Sequence, residues 1–361
     1  MSTERESDPV IPLARPTTRG RMRAPLRVPP RPPSALRAAL GRAASTRVGG
    51  AGLLLVALLA FVAVFADLLA SELPIACSHQ GTLYVLPNVT RPASLVGKDA
   101  AHIASESAWS VFPLVSEGPA RPPATASSRA PLLPPFAVRA HPLGTDGEGR
   151  DVFARVVHGA RSYLVFALAA VAASLAIGAA VGGTAGLLGG SFDALVGRVI
   201  ETVSAFPPLV LVLGIQAAVP RPTLATLFFA IALTRWPEVA RLVRGEVLQV
   251  ATRDYVLAAR AVGASPLRIL VKHIAPNVRG ALVVSVAVGI SSVVLTEASL
   301  DFLRVGTPPG GASWGEVMSQ FRDAPSAWWL LLFPGLALFA TVIGHNLAAE
   351  AFRDALDPRA R

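Results

Sequence analysis

A single cysteine, Cys77, excludes an internal disulfide and any Cys-based zinc or iron–sulfur site. Lysine is nearly as scarce, with only Lys98 and Lys272 among 33 basic residues. Neither lies in the G-x-x-x-x-G-K-[ST] pattern whose backbone cradles phosphates, so the chain lacks that means of holding ATP. The six histidines form no H-E-x-x-H pair, which removes a common metallohydrolase signature. "DGEGRD" at Asp146 hints at a calcium loop. Asp151 stands where that loop needs glycine and Val157 where it needs a bidentate glutamate, so a structured turn is expected instead. No catalytic residue, metal site or cofactor site is therefore expected in this chain.

Charge is also sparse: 16% of residues are charged against 52% hydrophobic, the balance of a membrane protein. Apolar runs long enough to cross a bilayer, about 20 residues each, begin near Val48, Tyr163, Val199, Thr223, Val278 and Trp328. Six transmembrane helices in an all-α membrane protein are therefore expected. The net charge of +10 is concentrated in residues 1–47 and 241–279. Basic residues beside spans mark the cytoplasmic side, which places both termini inside. The uncharged run at 48–66 exceeds a signal-peptide core of about 7 to 15 residues and is read as an uncleaved first span.

Residues 1–47 are rich in Arg and Pro without apolar periodicity and are expected to form a disordered cytoplasmic tail. The first span occupies 48–69. A long extracytoplasmic Pro-rich segment follows at 70–155, with little regular structure expected in its second half. A five-helix core covers 156–351, and a cytoplasmic tail closes the chain at 352–361. Ser174, Gly178, Gly182, Gly186 and Gly190 recur every fourth residue, a ridge for close helix approach. Pro207 and Pro208 predict a kink or break in the third span. Trp236 is expected as an interfacial anchor closing the fourth.

Between the fourth and fifth spans, the loop 241–277 contains "AARAVGASPLRILVKHIAP". Val247, Val250, Tyr255, Ala258, Ala259 and Val262 predict one mostly apolar helix face. Gly263 suits the left-handed position past a helix end, Ser265 is a good N-cap, and Pro266 fits a first helical position. A second short helix is expected from Leu267 to about Ile274, broken by Pro276 and Asn277. Such a corner suits lipid headgroups, nucleic acid or a protein groove. Spans begin within a few residues on both sides, which denies a recognition helix access to a DNA groove, so no nucleic-acid partner is expected.

This stretch resembles the coupling-loop motif of ABC-transporter permeases of the dipeptide, oligopeptide and nickel importer branch. Ala258, Ala259, Gly263 and Pro276 fall on the motif's positions, while Leu257 replaces its glutamate. "HPLGTDGEGRDVFARVVHGAR", "ETVSAFPPLVLVL", "TEASLDFLRVGTPPGGASWGEVM" and "FPGLALFATVIGHNLAAEAFRDALDPR" resemble the same branch in the same order, from about His141 to Arg361. The match is to its C-type permease. It departs at Asp301 and Arg304, where a small polar residue and a glycine are expected.

The resemblance implies a type I ABC importer permease fold with an extra N-terminal span, in a bacterial inner membrane. It implies a subunit without catalysis of its own that passes di- or oligopeptides, or a similar solute such as nickel. Its partners would be a homologous second permease, two cytoplasmic ABC ATPases that bind the ATP, an extracytoplasmic solute-binding protein and membrane lipid. Ala258, Ala259, Arg260, Gly263, Ala264, Ser265, Pro266, Leu267, His273 and Pro276 would form the ATPase-docking loop. Glu297, Asp301, His345 and Asn346 are the candidates for the pathway. The same ionisable residues would serve as a proton relay in the alternative, an ion-coupled secondary transporter, although no internal repeat supports it.

Overall fold

The computed structural model describes residues 35–120, 131–305 and 311–356. Helices α1 (Ala35–Ser45), α2 (Arg47–Val64) and α3 (Ala66–Leu69) lead into strands β1 (Ala76–His79) and β2 (Thr82–Val85). Short helices α4 (Pro87–Thr90) and α5 (Ala100–Glu106) precede β3 (Ser107–Val111). The helical body follows as α6 (Val152–Leu188), α7 (Gly190–Ser204), α8 (Pro208–Ala218), α9 (Leu224–Ala251) and α10 (Asp254–Ala261). It closes with α11 (Pro266–Arg268), α12 (Ala275–Phe302), α13 (Trp314–Ser319) and α14 (Trp329–Leu356).

The small-residue ridge is the seam between α6 and α9. Ser174 Oγ lies 3.4 Å from the Ala232 carbonyl, and a β-carbon on Gly178 would fall 2.6 Å from Val239 Cβ. Gly182 abuts Ala240, and Gly186 abuts Arg244 and Val247. Gly190 does not join the ridge: at φ +61° it forms the corner into α7 with open space around it. Around this seam Tyr163, Ala167, Leu227, Ile231, Val293, Val294 and Trp314 form the central core.

Among the described residues four helices are long and apolar enough to cross a membrane: α2, α6, the continuous run Pro266–Phe302, and α14. A fifth crossing is available if α7 and α8 form one broken span. Their axes bend by 84°, because Pro207 and Pro208 leave no amide hydrogens to bridge the two halves. Helix α9, expected as a short fourth span, continues to Ala251 and carries Arg235, Glu238, Arg241, Arg244 and Glu246, so it fails the same criterion. Trp236 is no interfacial anchor. It is buried with Ala185, Val196, Ile200 and Ala240 where α6, α7 and α9 meet.

Part of the expected N-terminal tail is helical, and the first half of the 70–155 segment holds a small sheet, while its described second half carries no helix or strand before α6. The Ala-rich sequence at 35–45 favours helix, and Ala39 and Ala43 bury against Ala351 and Ala355 of α14. The tail expectation for 1–34, and that for 357–361, lies outside the described residues. The segment at 70–155 opens with an antiparallel sheet in the order β2-β1-β3, over a core of Leu73, Cys77, Leu95 and Ile103. Its strands of four or five residues are too short to carry a periodic signal. The sheet joins the body where Leu69 and Ser71 exchange backbone hydrogen bonds with Val115. His158 Nε2 donates to the Ala70 carbonyl at 2.8 Å beside them.

Candidate functional site

The corner between α9 and α12 is exposed at one end of the bundle but anchored from within. Helix α9 stops at Ala251, the chain turns at Thr252 and Arg253, and α10 begins with a new phase. The single apolar face expected across 247–262 is therefore split. Val247 and Val250 are buried on α9, Val256 is the buried residue of α10, and Val262 is 86% exposed. Val256 packs with Ile269, Ile274 and Val278.

Gly263 adopts φ +81°, the Ala264 amide donates to the Ala259 carbonyl, and the Gly263 amide donates to Arg260. This pairing closes a helix with a left-handed residue. Ser265 Oγ then accepts from the Arg268 amide, with Pro266 in the first turn. The next helix is not broken at Pro276. A π-helical turn at Ile269–Ile274 runs straight into α12, and this widening accommodates a proline that cannot donate to the preceding turn. Asn277 Nδ2 donates to Tyr255 Oη at 3.1 Å and to the His273 carbonyl at 2.7 Å, tying α10 to the base of α12.

Of the residues assigned to docking, Ala258, Arg260, Gly263, Ser265, Pro266, Leu267 and Pro276 are exposed, and Ala259, Ala264 and His273 are half-buried. Leu257, Leu267 and Val271 add exposed apolar surface.

The residues assigned to a pathway fall into two groups. Glu297 and Asp301 lie one turn apart on α12, both buried. Asp301 accepts hydrogen bonds from Ser313 Oγ and, at 3.4 Å, from Tyr163 Oη, whose ring stacks on Trp314. Glu297 Oε2 has no hydrogen-bond partner among the described residues. His345 is buried on α14, where Nδ1 donates to the Thr341 carbonyl of its own helix, and Asn346 is exposed. Ser291 Oγ donates to the Val342 carbonyl and sets the register of α12 against α14. From that crossing, Glu297 lies six residues one way and His345 three the other, roughly 13 Å apart along the axis at 1.5 Å per residue. They do not form one relay.

The opposite end of the bundle carries a charged network that sequence reasoning missed. Asp146 Oδ1 accepts the amides of Glu148 and Arg150, which makes "DGEGRD" the expected turn. Asp151 caps α6 through the Ala154 amide and accepts from His141 Nδ1 at 2.9 Å. Arg150 pairs with Asp146 at 2.7 Å and with Glu316 at 2.9 Å. Arg155, fully buried in the first turn of α6, pairs with Glu316 and donates to the Gly311 carbonyl. Its one signal in the sequence was an arginine inside an apolar helix. Arg304 sits at φ +62° just past the end of α12, where its amide donates to Asp301 and the Val305 amide to Leu300. That left-handed position explains why glycine is the expected residue there.

Four helices among the described residues that are long and apolar enough to cross a membrane, with a broken helix pair beside them, define the class as a multi-pass membrane protein with a rigid exposed corner. Residues 163–361, more than half the chain, match the family described as "Binding-protein-dependent transport system inner membrane component", and the chain belongs to that family. It is thus a multi-pass inner-membrane permease component of a binding-protein-dependent ABC transport system. A putative peptide transport system permease protein of Brucella suis is 41% identical over 220 residues, 61% of this chain and 74% of the relative. The oligopeptide transport system permease protein OppC of Bacillus subtilis is 37% identical over 222 residues, covering 61% and 72%. The probable D,D-dipeptide transport system permease protein DdpC of Escherichia coli is 38% identical over 232 residues, covering 64% and 77%. These names agree with a C-type permease of the peptide-importer branch. The sheet and the Asp146 turn precede the family-matched range.

Proposed function

We propose that this chain is one of two homologous permeases that carry di- or oligopeptides into the cell, powered by separate ATPases docked on residues 254–276. The observation that carries this reading is the corner itself. Val256, Ile269 and Ile274 fix it to the body, while Leu257, Val262, Leu267 and Val271 face outward unpaired. A surface that is apolar outside yet rigidly capped suits an end-on contact with a protein groove. Arg260, Arg268 and Lys272 add positive charge for an acidic groove rim or lipid headgroups.

In this scheme the corner lies on the cytoplasmic face and the Asp146 end faces outward, where a solute-binding protein delivers cargo. Closure of the ATPase pair moves the corners and switches the permease pair between inward-open and outward-open states. ATP is bound by the partner subunits. The secondary-transport alternative needs a continuous proton path, and the separation of Glu297 from His345 disfavours it.

The test is Gly263→Asp, which places a β-carbon and a charge on a left-handed residue with open space around it. The variant inserts normally, loses co-purification with the ATPases and loses peptide uptake. Survival of both would overturn the docking model. Nickel uptake, measured in the same cells, separates the two cargo classes.

A further inference from the structure

The charged network at the Asp146 end borders a cavity of about 550 Å³, within the usual range of roughly 300–1,000 Å³ for small-molecule sites. Its charged walls are Glu148, Asp301, Arg304, Glu316 and Asp323, with Gln320 among the polar ones. The walls are held firmly. The Gly147 amide donates to Gln320 Oε1 at 2.8 Å, and Gln320 Nε2 donates to Glu316 Oε1 at 3.0 Å, so the turn before α6 is fastened to α13.

The charges in these walls are unevenly compensated. Asp146, Glu148 and Glu316 share the guanidinium groups of Arg150 and Arg155: three carboxylates against two cations. Asp146 takes Arg150 at 2.7 Å and Glu316 takes it at 2.9 Å, whereas Glu148 reaches it only at 3.7 Å. Asp301, another wall carboxylate, is buried and accepts from Ser313 and Tyr163, which leaves Glu148, with its side chain 47% exposed, as the loosely paired carboxylate open to the cavity. Across the cavity Arg304 and Asp323 neutralise each other. No set of three His, Cys, Asp or Glu side chains among the described residues converges as metal ligands. An organic cation with several N–H donors fits Glu148 better than a bare divalent ion.

We propose that this cavity receives the free ammonium end of a short peptide at Glu148, making that residue a determinant of cargo selectivity on the outward side. This inference rests on the peptide-permease reading above. A hydrogen bond to a charged group contributes about 1.5–3 kcal/mol, so its loss should lower uptake about tenfold or more.

The test uses the complete transporter with its binding protein, and compares uptake of a labelled tripeptide with that of its N-acetyl derivative. The wild type prefers the free amine. Glu148→Gln lowers free-amine uptake about tenfold and leaves N-acetyl uptake unchanged, so the preference collapses. Glu148→Lys abolishes free-amine uptake. Co-purification of the ATPases with each variant reports assembly. If Glu148→Gln assembles and keeps the wild-type preference, selectivity lies elsewhere and the proposal is wrong. If the wild type transports both peptides equally, the proposal fails while the peptide reading stands, and that outcome needs no variant. If the wild type transports neither, the peptide reading itself falls.

Discussion

Gly182 of α6 lies against the backbone of Ala240 in α9, so close that an added β-carbon would come within 2.8 Å of the Ala240 α-carbon. The obstacle is main chain and cannot rotate away. Gly182→Val is expected to separate the two helices and destabilise the protein by about 3 kcal/mol, the upper part of the overpacking range. One position along, an added β-carbon on Gly183 would meet side-chain atoms of Leu270 and Val243, the nearest at 3.5 Å, an ordinary contact. Gly183→Ala is therefore expected to be tolerated. Thermal unfolding of the two variants in detergent separates the cases, and equal melting temperatures would refute the seam.

Arg155 is expected to matter more for stability than any exposed arginine. It is fully buried and reaches Glu316 and the Gly311 carbonyl, tying the start of α6 to α13. Without Arg155, Glu316 keeps Arg150 at 2.9 Å and is itself a quarter exposed, so the cost should fall below the roughly 3–5 kcal/mol of a fully buried pair left without its partner. Arg155→Met should lower the melting temperature sharply, and Arg155→Met combined with Glu316→Gln should recover part of the loss. A double variant no better than the single one would show that the pair is not the relevant contact.

The sequence revealed local features and concealed distant ones. Gly263, Ser265 and Pro266 each carry a conformational preference that acts within a few residues, so the corner was readable in detail. The ridge from Ser174 to Gly186 announced a close helix neighbour but could not name α9. Arg150 and Arg155 meet Glu316 more than 160 residues away, and nothing in their local pattern records that pairing. The phase change at Thr252 and Arg253 was missed because the apolar spacing continues through it. The π turn before Pro276 was missed because proline ordinarily ends a helix rather than widening it.

The sheet should respond to acid through Glu106. A hydrogen bond from Lys98, supported by nearby His102 and His79, holds its carboxyl below the usual carboxylate range despite partial desolvation. A group whose pKa is depressed on folding stabilises the fold above its unfolded pKa, about 4.3 for glutamate, and loses that contribution as pH falls below it. Hydrogen exchange at Ser107–Val111 is expected to accelerate between about pH 5 and pH 3, a window set by that unfolded pKa. Glu106→Gln should exchange faster at neutral pH and show a weaker acid dependence. An unchanged acid response would assign the effect to another carboxylate.

Leu257 offers a test of the docking surface that adds a contact instead of removing one. It stands where the coupling-loop motif carries glutamate, on α10, with its side chain about half exposed and pointing away from the buried Val256. Leu257→Glu should fold normally, because exposed substitutions away from special features usually stay within about 0.5 kcal/mol. If the corner meets an ATPase groove with basic residues at that point, the new carboxylate tightens docking, and a charge-assisted hydrogen bond of about 1.5 kcal/mol raises affinity about tenfold. The salt dependence supplies the check, since an exposed ion pair weakens as ionic strength rises from about 0.05 to 0.5 M. Affinity of the purified ATPase for this permease, measured across that range, should favour Leu257→Glu most at low salt. If docking is weaker at every salt concentration, Leu257 acts as an apolar contact, and the groove has adapted to the leucine.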